Sequence, residues 1–309
     1  MIWIVLLALL VALLAAPHVL EARRGRPDDK DAPGKFANLS QGRTHYRWIG
    51  PVRGPVLVAV HGLSSPSGIW EGIAQGLAGF GYRVLVYDLY GRGWSDAVPG
   101  RQDAEFFIRQ LEDLLEDQEI PEDVTLLGYS MGGAIITAFA ARHPERSKRL
   151  ILLAPTGIEP EEDKVHRFMR QWPVLGDWLH GIYEPVRMRA ALIAGHLSAS
   201  EVPGVAEMQL RELSHRGFFP ALLASRRGML NARLRQEHHA IGIEDIPVVA
   251  IWGEKDEVVP LKGLGTLAQW NRAARQEVVE GAGHGLVHTH VTAVMALLRD
   301  VLRESWGSR

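Results

Sequence analysis

The sequence predicts an α/β protein: a doubly wound, mostly parallel sheet with an inserted helical cap and an N-terminal transmembrane helix. Three observations predict it. Short runs rich in Val, Leu and Ile alternate with amphipathic stretches along most of the 309 residues. Most of those runs are continuously apolar rather than alternating, which marks strands covered on both faces. The alternation is interrupted once, between Pro155 and Pro247, by about 90 residues of helical pattern, far beyond an ordinary connection.

The elements follow in order. Residues 2–20 carry no charged side chain. At 1.5 Å each they span about 28 Å, enough to cross a hydrocarbon core. No positive segment precedes them, and Leu14 and Pro17 spoil a cleavage site after Ala16, so an uncleaved anchor over residues 1–22 is expected rather than a signal peptide. Arg23, Arg24 and Arg26 follow directly, and the positive-inside rule then places the rest of the chain on the cytoplasmic side. Residues 27–34 have no periodicity and read as a flexible linker, within a linker region of 23–35. Residues 36–39 and 44–49 flank Gln41-Gly42 and read as a hairpin. Further strands are expected at 55–60, 82–87, 124–127, 149–153, 247–252 and 277–280. Helices are expected at 69–80, 104–118, 131–142, 263–274 and 287–305. In the second of these, Phe107, Leu111, Leu114 and Leu115 form an apolar stripe at helical spacing. The α/β core thus falls into two parts, 36–155 and 247–309, with the cap at 156–246.

Composition narrows the chemistry. The net charge is -2, so no excess of positive charge calls for a nucleic-acid partner. There is no cysteine, which excludes a disulfide framework, thiolate metal sites and a cysteine nucleophile. His284 and His288 have i, i+4 spacing but no third ligand in a recognisable pattern, so neither a metal nor another cofactor is expected.

The segment from Val124 to Gly133 is a strand, then Gly128-Tyr129-Ser130-Met131-Gly132, then a helix. The pentapeptide alone is a weak signal; its place between a buried strand and a helix is a strong one. Such a turn lifts Ser130 to the carboxyl edge of the sheet, where α/β proteins bind ligands. A serine hydroxyl needs a base, and the base an orienting carboxylate. Asp256 follows the strand at 247–252, with Glu254 and Glu257 as rival acids. His284 follows the strand at 277–280, with His288 and His290 as rivals inside the last helical pattern. Acyl transfer also needs backbone donors for an oxyanion. Met131 N–H, directly after the serine, and Leu63 N–H, in His61-Gly62-Leu63, are the candidates. His61 is expected to hold that loop by hydrogen bonding.

These segments, with Asp88-Leu89-Tyr90-Gly91-Arg92-Gly93-Trp94-Ser95 and Gly283-His284-Gly285, resemble the α/β-hydrolase superfamily from residue 36 to 305. The resemblance implies a Ser130–Asp256–His284 triad, a Leu63/Met131 oxyanion hole, a cap formed by the insertion, and a structural role for the Asp88–Ser95 loop. Serine at the elbow differs from the Asp nucleophile of epoxide hydrolases and haloalkane dehalogenases. Tyr129 and Gly285 differ from the carbon–carbon bond hydrolases, and the elbow differs from the Gly-Gly-Ser-Trp-Gly of prolyl aminopeptidase-like members. Monoacylglycerol lipase-like and carboxylesterase members are the more similar, with a carbon–carbon bond hydrolase or a haloperoxidase-like member of the same fold as the alternative. A membrane-tethered binding protein that kept the fold without the chemistry is the non-enzymatic alternative.

The cap region carries Met169, Met188, Met208 and Met229 with Phe168, Trp172, Trp178, Tyr183, Phe218 and Phe219. Either they form an ordinary helical core or their inner face lines an acyl pocket. The second reading predicts medium-chain esters or monoacylglycerols as substrates. It also places Glu159, Glu161, Glu162, Asp163, Arg226 and Arg227 on the outer face.

Overall fold

The computed structural model describes residues 1–120, 122–159, 162–195 and 200–303. Its strands are β1 (Lys35–Asn38), β2 (Arg43–Ile49), β3 (Val56–Val60), β4 (Arg83–Tyr87), β5 (Val124–Tyr129), β6 (Ser147–Leu153), β7 (Val248–Gly253) and β8 (Arg275–Val279). They form one sheet in the order β1-β2-β4-β3-β5-β6-β7-β8. The β1–β2 hairpin is antiparallel and β2 joins β4 antiparallel; all pairs from β4 through β3 to β8 are parallel. The continuously apolar runs sit where both faces are covered, and every residue of β5 and β7 is buried.

One face is packed by the helices Ala104–Asp117, Met131–Arg142, Arg235–Ile243 and Lys262–Trp270, through residues such as Leu111, Ile135, Ile241 and Leu267. The other is packed by Glu71–Gly79 and Val291–Arg303, through Ile73, Leu77, Leu298 and Val301. The Arg235–Ile243 helix therefore belongs with the core, although it falls inside the predicted cap. The chain leaves β3 for β4 on one side and returns to β5 on the other. The carboxyl ends of β3 and β5 thus flank the switch point where such sheets bind ligands.

Two predicted helices differ in extent. The stretch expected at 287–305 is divided into Leu286–Thr289 and Val291–Arg303, with the Thr289 hydroxyl bonded to the His290 ring at the break. The one expected at 263–274 ends at Trp270, because Asn271 turns out of the helix and its side chain accepts from Ala273 N–H. β8 starts two residues early, at a polar edge that apolar patterning does not reveal.

Between β6 and β7 lie the cap helices Lys164–Gln171, Leu175–Gly195, Val205–Glu212 and Phe218–Arg227. The N-terminal helix Ile2–Ala22 is long and apolar enough to serve as a membrane anchor or a signal sequence, and its first half is exposed. Its second half is docked on the cap. Trp178 Nε1–H donates to Leu13 O (2.9 Å), Gly217 N–H donates to Glu21 (2.6 Å), and the Arg24 guanidinium lies 4.5 Å over the Phe219 ring. The segment expected to be a flexible linker is also held down: Asp28 caps a 3-10 turn at Asp29–Asp31, and Asp29 pairs with Arg43. Aspartate-rich chain beside a strand arginine finds a partner that composition alone does not show.

Candidate active site

The site is built at the end of β5. Ser130 takes φ 54° and ψ -118°, a strained conformation for a residue with a side chain. The residues two positions before and after it have to be glycine. A Cβ at Gly132 would lie 2.0 Å from Val60 O, and one at Gly128 2.5 Å from Gly132 O. The turn is held by Ser130 N–H to Leu153 O (2.9 Å) and Thr156 N–H to Ser130 O (3.1 Å).

His284, on the loop after β8, places Nε2 3.0 Å from Ser130 Oγ. Its Nδ1 lies 2.8 Å from Asp256 Oδ2, on the loop after β7. Asp256 Oδ1 already accepts from Val258 and Val259 N–H, both at 2.8 Å. With Oδ1 so occupied, Oδ2 is the atom placed to receive Nδ1–H, and that tautomer leaves Nε2 to accept from the Ser130 hydroxyl. Tyr129, the residue before the serine, donates its hydroxyl to His284 O (3.0 Å) and fixes the histidine loop.

The rivals are placed elsewhere. Glu254 accepts from Gly281 N–H (2.8 Å), a loop contact, and Glu257 is exposed. His290 bonds to Thr289. His288 is half-buried beside Gly285, lines the same cavity as Ser130, and its burial holds the imidazole below its ordinary pKa. A polar residue within a helical pattern is expected at the surface; here the helix begins at Leu286 and His288 lines the cavity instead.

Met131 is the first residue of its helix, so its N–H has no acceptor within that helix. Leu63, across the cavity, is fixed through its carbonyl by Arg92 Nε–H (3.0 Å). Arg92 is itself buried and donates to Tyr90 O and Gln102 (both 2.7 Å) and to Ser225 on a cap helix (2.8 Å). Its burial lowers its pKa to about 9. His61 is fully buried, accepts from Leu89 N–H through Nε2 (2.9 Å) and donates Nδ1–H to Gly62 O (2.8 Å). Asp88 accepts from Ser67 N–H (2.7 Å), Trp94 N–H (3.0 Å) and His45 (2.8 Å). Burial works against its charge, but the bond from His45 and the other donors outweigh burial and hold the carboxyl below its ordinary range. Among the described residues, no group of three or more His, Asp or Glu side chains is arranged to hold a metal ion.

Ser130 and His284 open into a cavity of about 980 Å³ beneath the cap. Leu63, Leu192, Leu230, Val258 and Val259 give it an apolar part. The cap contributes charge: Glu159, Glu162, Arg167, Arg170, Arg187 and Arg226 face the cavity. This corrects the expectation that Glu159, Glu162 and Arg226 lie on the outer face. Asp163 does lie outward, as the cap of the Lys164–Gln171 helix, and Arg227 pairs with Asp177 away from the cavity; Glu161 lies outside the described residues. None of the four cap methionines lines the cavity. Met169 and Met229 are buried, Met188 packs on Phe218 and its neighbours, and Met208 packs toward the sheet. The cap methionines are instead taken up in packing between helices and against the sheet. The one legible trace of the cap's charge was the i, i+3 spacing of Arg167 with Arg170 and of Glu184 with Arg187.

A doubly wound sheet with a strained serine after β5 and a helical insertion after β6 is an α/β-hydrolase fold. Within that class the chain belongs to the family described as serine aminopeptidase, S33, which matches residues 52–289. It is 27% identical over 256 residues to the pimeloyl-(acyl-carrier protein) methyl ester esterase of Aeromonas salmonicida (strain A449), covering 80% of this chain and 95% of that one. It is 28% identical over 225 residues to the 2-hydroxymuconate semialdehyde hydrolase of Pseudomonas sp. (strain CF600), covering 72% and 77%. The enol-lactonase from Burkholderia xenovorans LB400 has the same fold, with a TM-score of 0.73 at 23% identity over 87% of this chain and all of that one.

Proposed function

We propose that the protein is a serine hydrolase of carboxylic esters, working through an acyl-enzyme on Ser130 and tethered to a membrane by its first helix. The observation that carries this reading is the hydrogen-bonded chain from Ser130 Oγ through His284 to Asp256, at 3.0 and 2.8 Å. His284 takes the hydroxyl proton as Ser130 attacks the ester carbonyl, and Asp256 stabilises the imidazolium that forms. Leu63 and Met131 N–H receive the oxyanion. The proton then passes from Nε2 to the leaving alcohol. Water repeats the sequence on the acyl-enzyme and releases the acid. The esterase relative supports this substrate class.

A monoacylglycerol-like substrate draws no support from the cavity, because its far wall is charged rather than lined by methionine and aromatic side chains. The test is hydrolysis of p-nitrophenyl esters from acetyl to octanoyl by the full-length protein in detergent. Turnover that depends on Ser130 and peaks at short acyl chains is expected. Turnover unchanged in Ser130→Ala would overturn the reading, and efficiency climbing steadily to octanoyl would restore the lipid-like pocket.

A further inference from the structure

The cap wall of the cavity holds more positive charge than its own carboxylates neutralise. Arg170 is taken bidentately by Glu162 (2.9 and 3.1 Å). Glu184, fully buried, receives both Arg187 (2.6 Å) and Arg226 (3.2 Å) as well as the His166 ring (3.1 Å). One carboxylate thus serves two guanidinium groups. Burial lowers the pKa of Arg226, and only part of that is offset by Glu184. Arg226 Nε–H is buried and has no hydrogen-bond partner among the described residues. Arg167, one turn from Arg170 on the same helix, has no carboxylate within ion-pair distance among the described residues. Glu159, the other acid of the lining, is 3.8 Å from Arg233 and accepts from Thr266 (2.9 Å).

The neighbouring Arg227 shows what a purely structural arginine looks like in this cap. It bonds Met169 O (2.8 Å), Arg170 O (3.2 Å) and Asp177 (2.6 Å), away from the cavity. Arg226 and Arg167 instead line the cavity that also holds Ser130. Gathering like charges around a partly enclosed space is unfavourable unless an anion completes the set. A planar guanidinium offers paired donors that match a carboxylate.

We propose that the cavity takes an ester that also carries a carboxylate, held at its far end by Arg167 and Arg226 while the ester carbonyl lies at Ser130. The inference rests on the esterase reading for the chemistry at Ser130, but binding of the anion is a property of the cap and can be measured without turnover. The apolar part of the lining, Leu192, Leu230 and Val258, accommodates a short methylene chain between the two ends.

The test is calorimetric binding of monomethyl adipate and dimethyl adipate to full-length Ser130→Ala protein in detergent. The two ligands have the same chain and differ by one carboxylate. The monoester should bind at least tenfold more tightly, and less so as salt is raised. Arg167→Gln should remove about tenfold of that preference, as loss of a charge-assisted hydrogen bond does, and Arg167→Lys should restore part of it. Arg226→Gln should do the same, with circular dichroism to check that the cap still folds; Arg167, exposed and without an ion-pair partner among the described residues, keeps the test decisive if it does not. Equal or tighter binding of the diester, or a preference unchanged in Arg167→Gln, would overturn the proposal. Failure of the esterase reading would show separately, as a wild-type protein whose Ser130 turns over neither ester while Ser130→Ala still binds the monoester.

Discussion

At Ser130 the backbone stores strain that the glycines around it make sterically tolerable. Gly132→Ala would drive a methyl group into Val60 O and is expected to destabilise the fold by several kcal/mol, roughly the top of the range for single substitutions, as read by denaturant titration. Asp256→Asn is expected to lower kcat by about 10⁴ with little change in stability, since the amide no longer selects the imidazole tautomer. Ester kinetics beside a melting curve check both halves of that statement. Three other histidines set the response to acid. Burial lowers His61, His180 and His238 to about 4, from an ordinary 6.5. Below that ordinary value the unfolded chain binds protons that the folded protein does not. Stability is therefore full above about pH 6.5 and is lost as pH falls toward 4. Melting temperatures from pH 8 to 4 should show this decline, and His238→Phe should soften it. Much of the residue scale was legible beforehand. Ser130, Asp256 and His284 follow strand ends, and a loop after a strand has few ways to point. His288 and the arginines were not, because helical spacing names a face without saying which neighbour that face meets.

Among the elements, the strands were the most legible, since a continuously apolar run has to be covered on both sides. Helix ends were less so: Asn271 and His290 leave the helical path through local side-chain bonds that periodicity does not register. A helix joined to the core by a flexible linker would be detachable with residues 1–26. The second half of the first helix instead forms part of the cap's footing, through Leu13, Pro17, Glu21 and Arg24. Deleting residues 1–12 should give a soluble protein that keeps its melting temperature. Deleting 1–26 should lower the melting temperature and the kcat/KM together, by freeing the helices that carry Trp178 and Phe219. Equal melting curves for the two truncations would show that the docking contributes nothing. Within the cap, Glu184→Gln removes the anion shared by Arg187 and Arg226. Breaking such a buried pair costs about 3–5 kcal/mol, so the cap is expected to loosen, seen as faster proteolysis between β6 and β7.

For the whole molecule, sheet order decides where chemistry can occur. The reversal at β3 opens a crevice between Leu63 and Met131, and the loops after β7 and β8 bring Asp256 and His284 to the same edge. The cap closes that crevice into a cavity and supplies its charge, while the turn after β5 places Ser130 in its wall. Arg92 joins the two, bonding Leu63 below and Ser225 above. The central claim is that this arrangement makes Ser130 a nucleophile, and covalent labelling by a fluorophosphonate tests it most directly. Intact-mass and peptide mass spectrometry should find one adduct per chain, on Ser130, lost in Ser130→Ala and nearly lost in His284→Ala. A wild-type protein that stays unlabelled, or carries the adduct on another residue, would contradict the account.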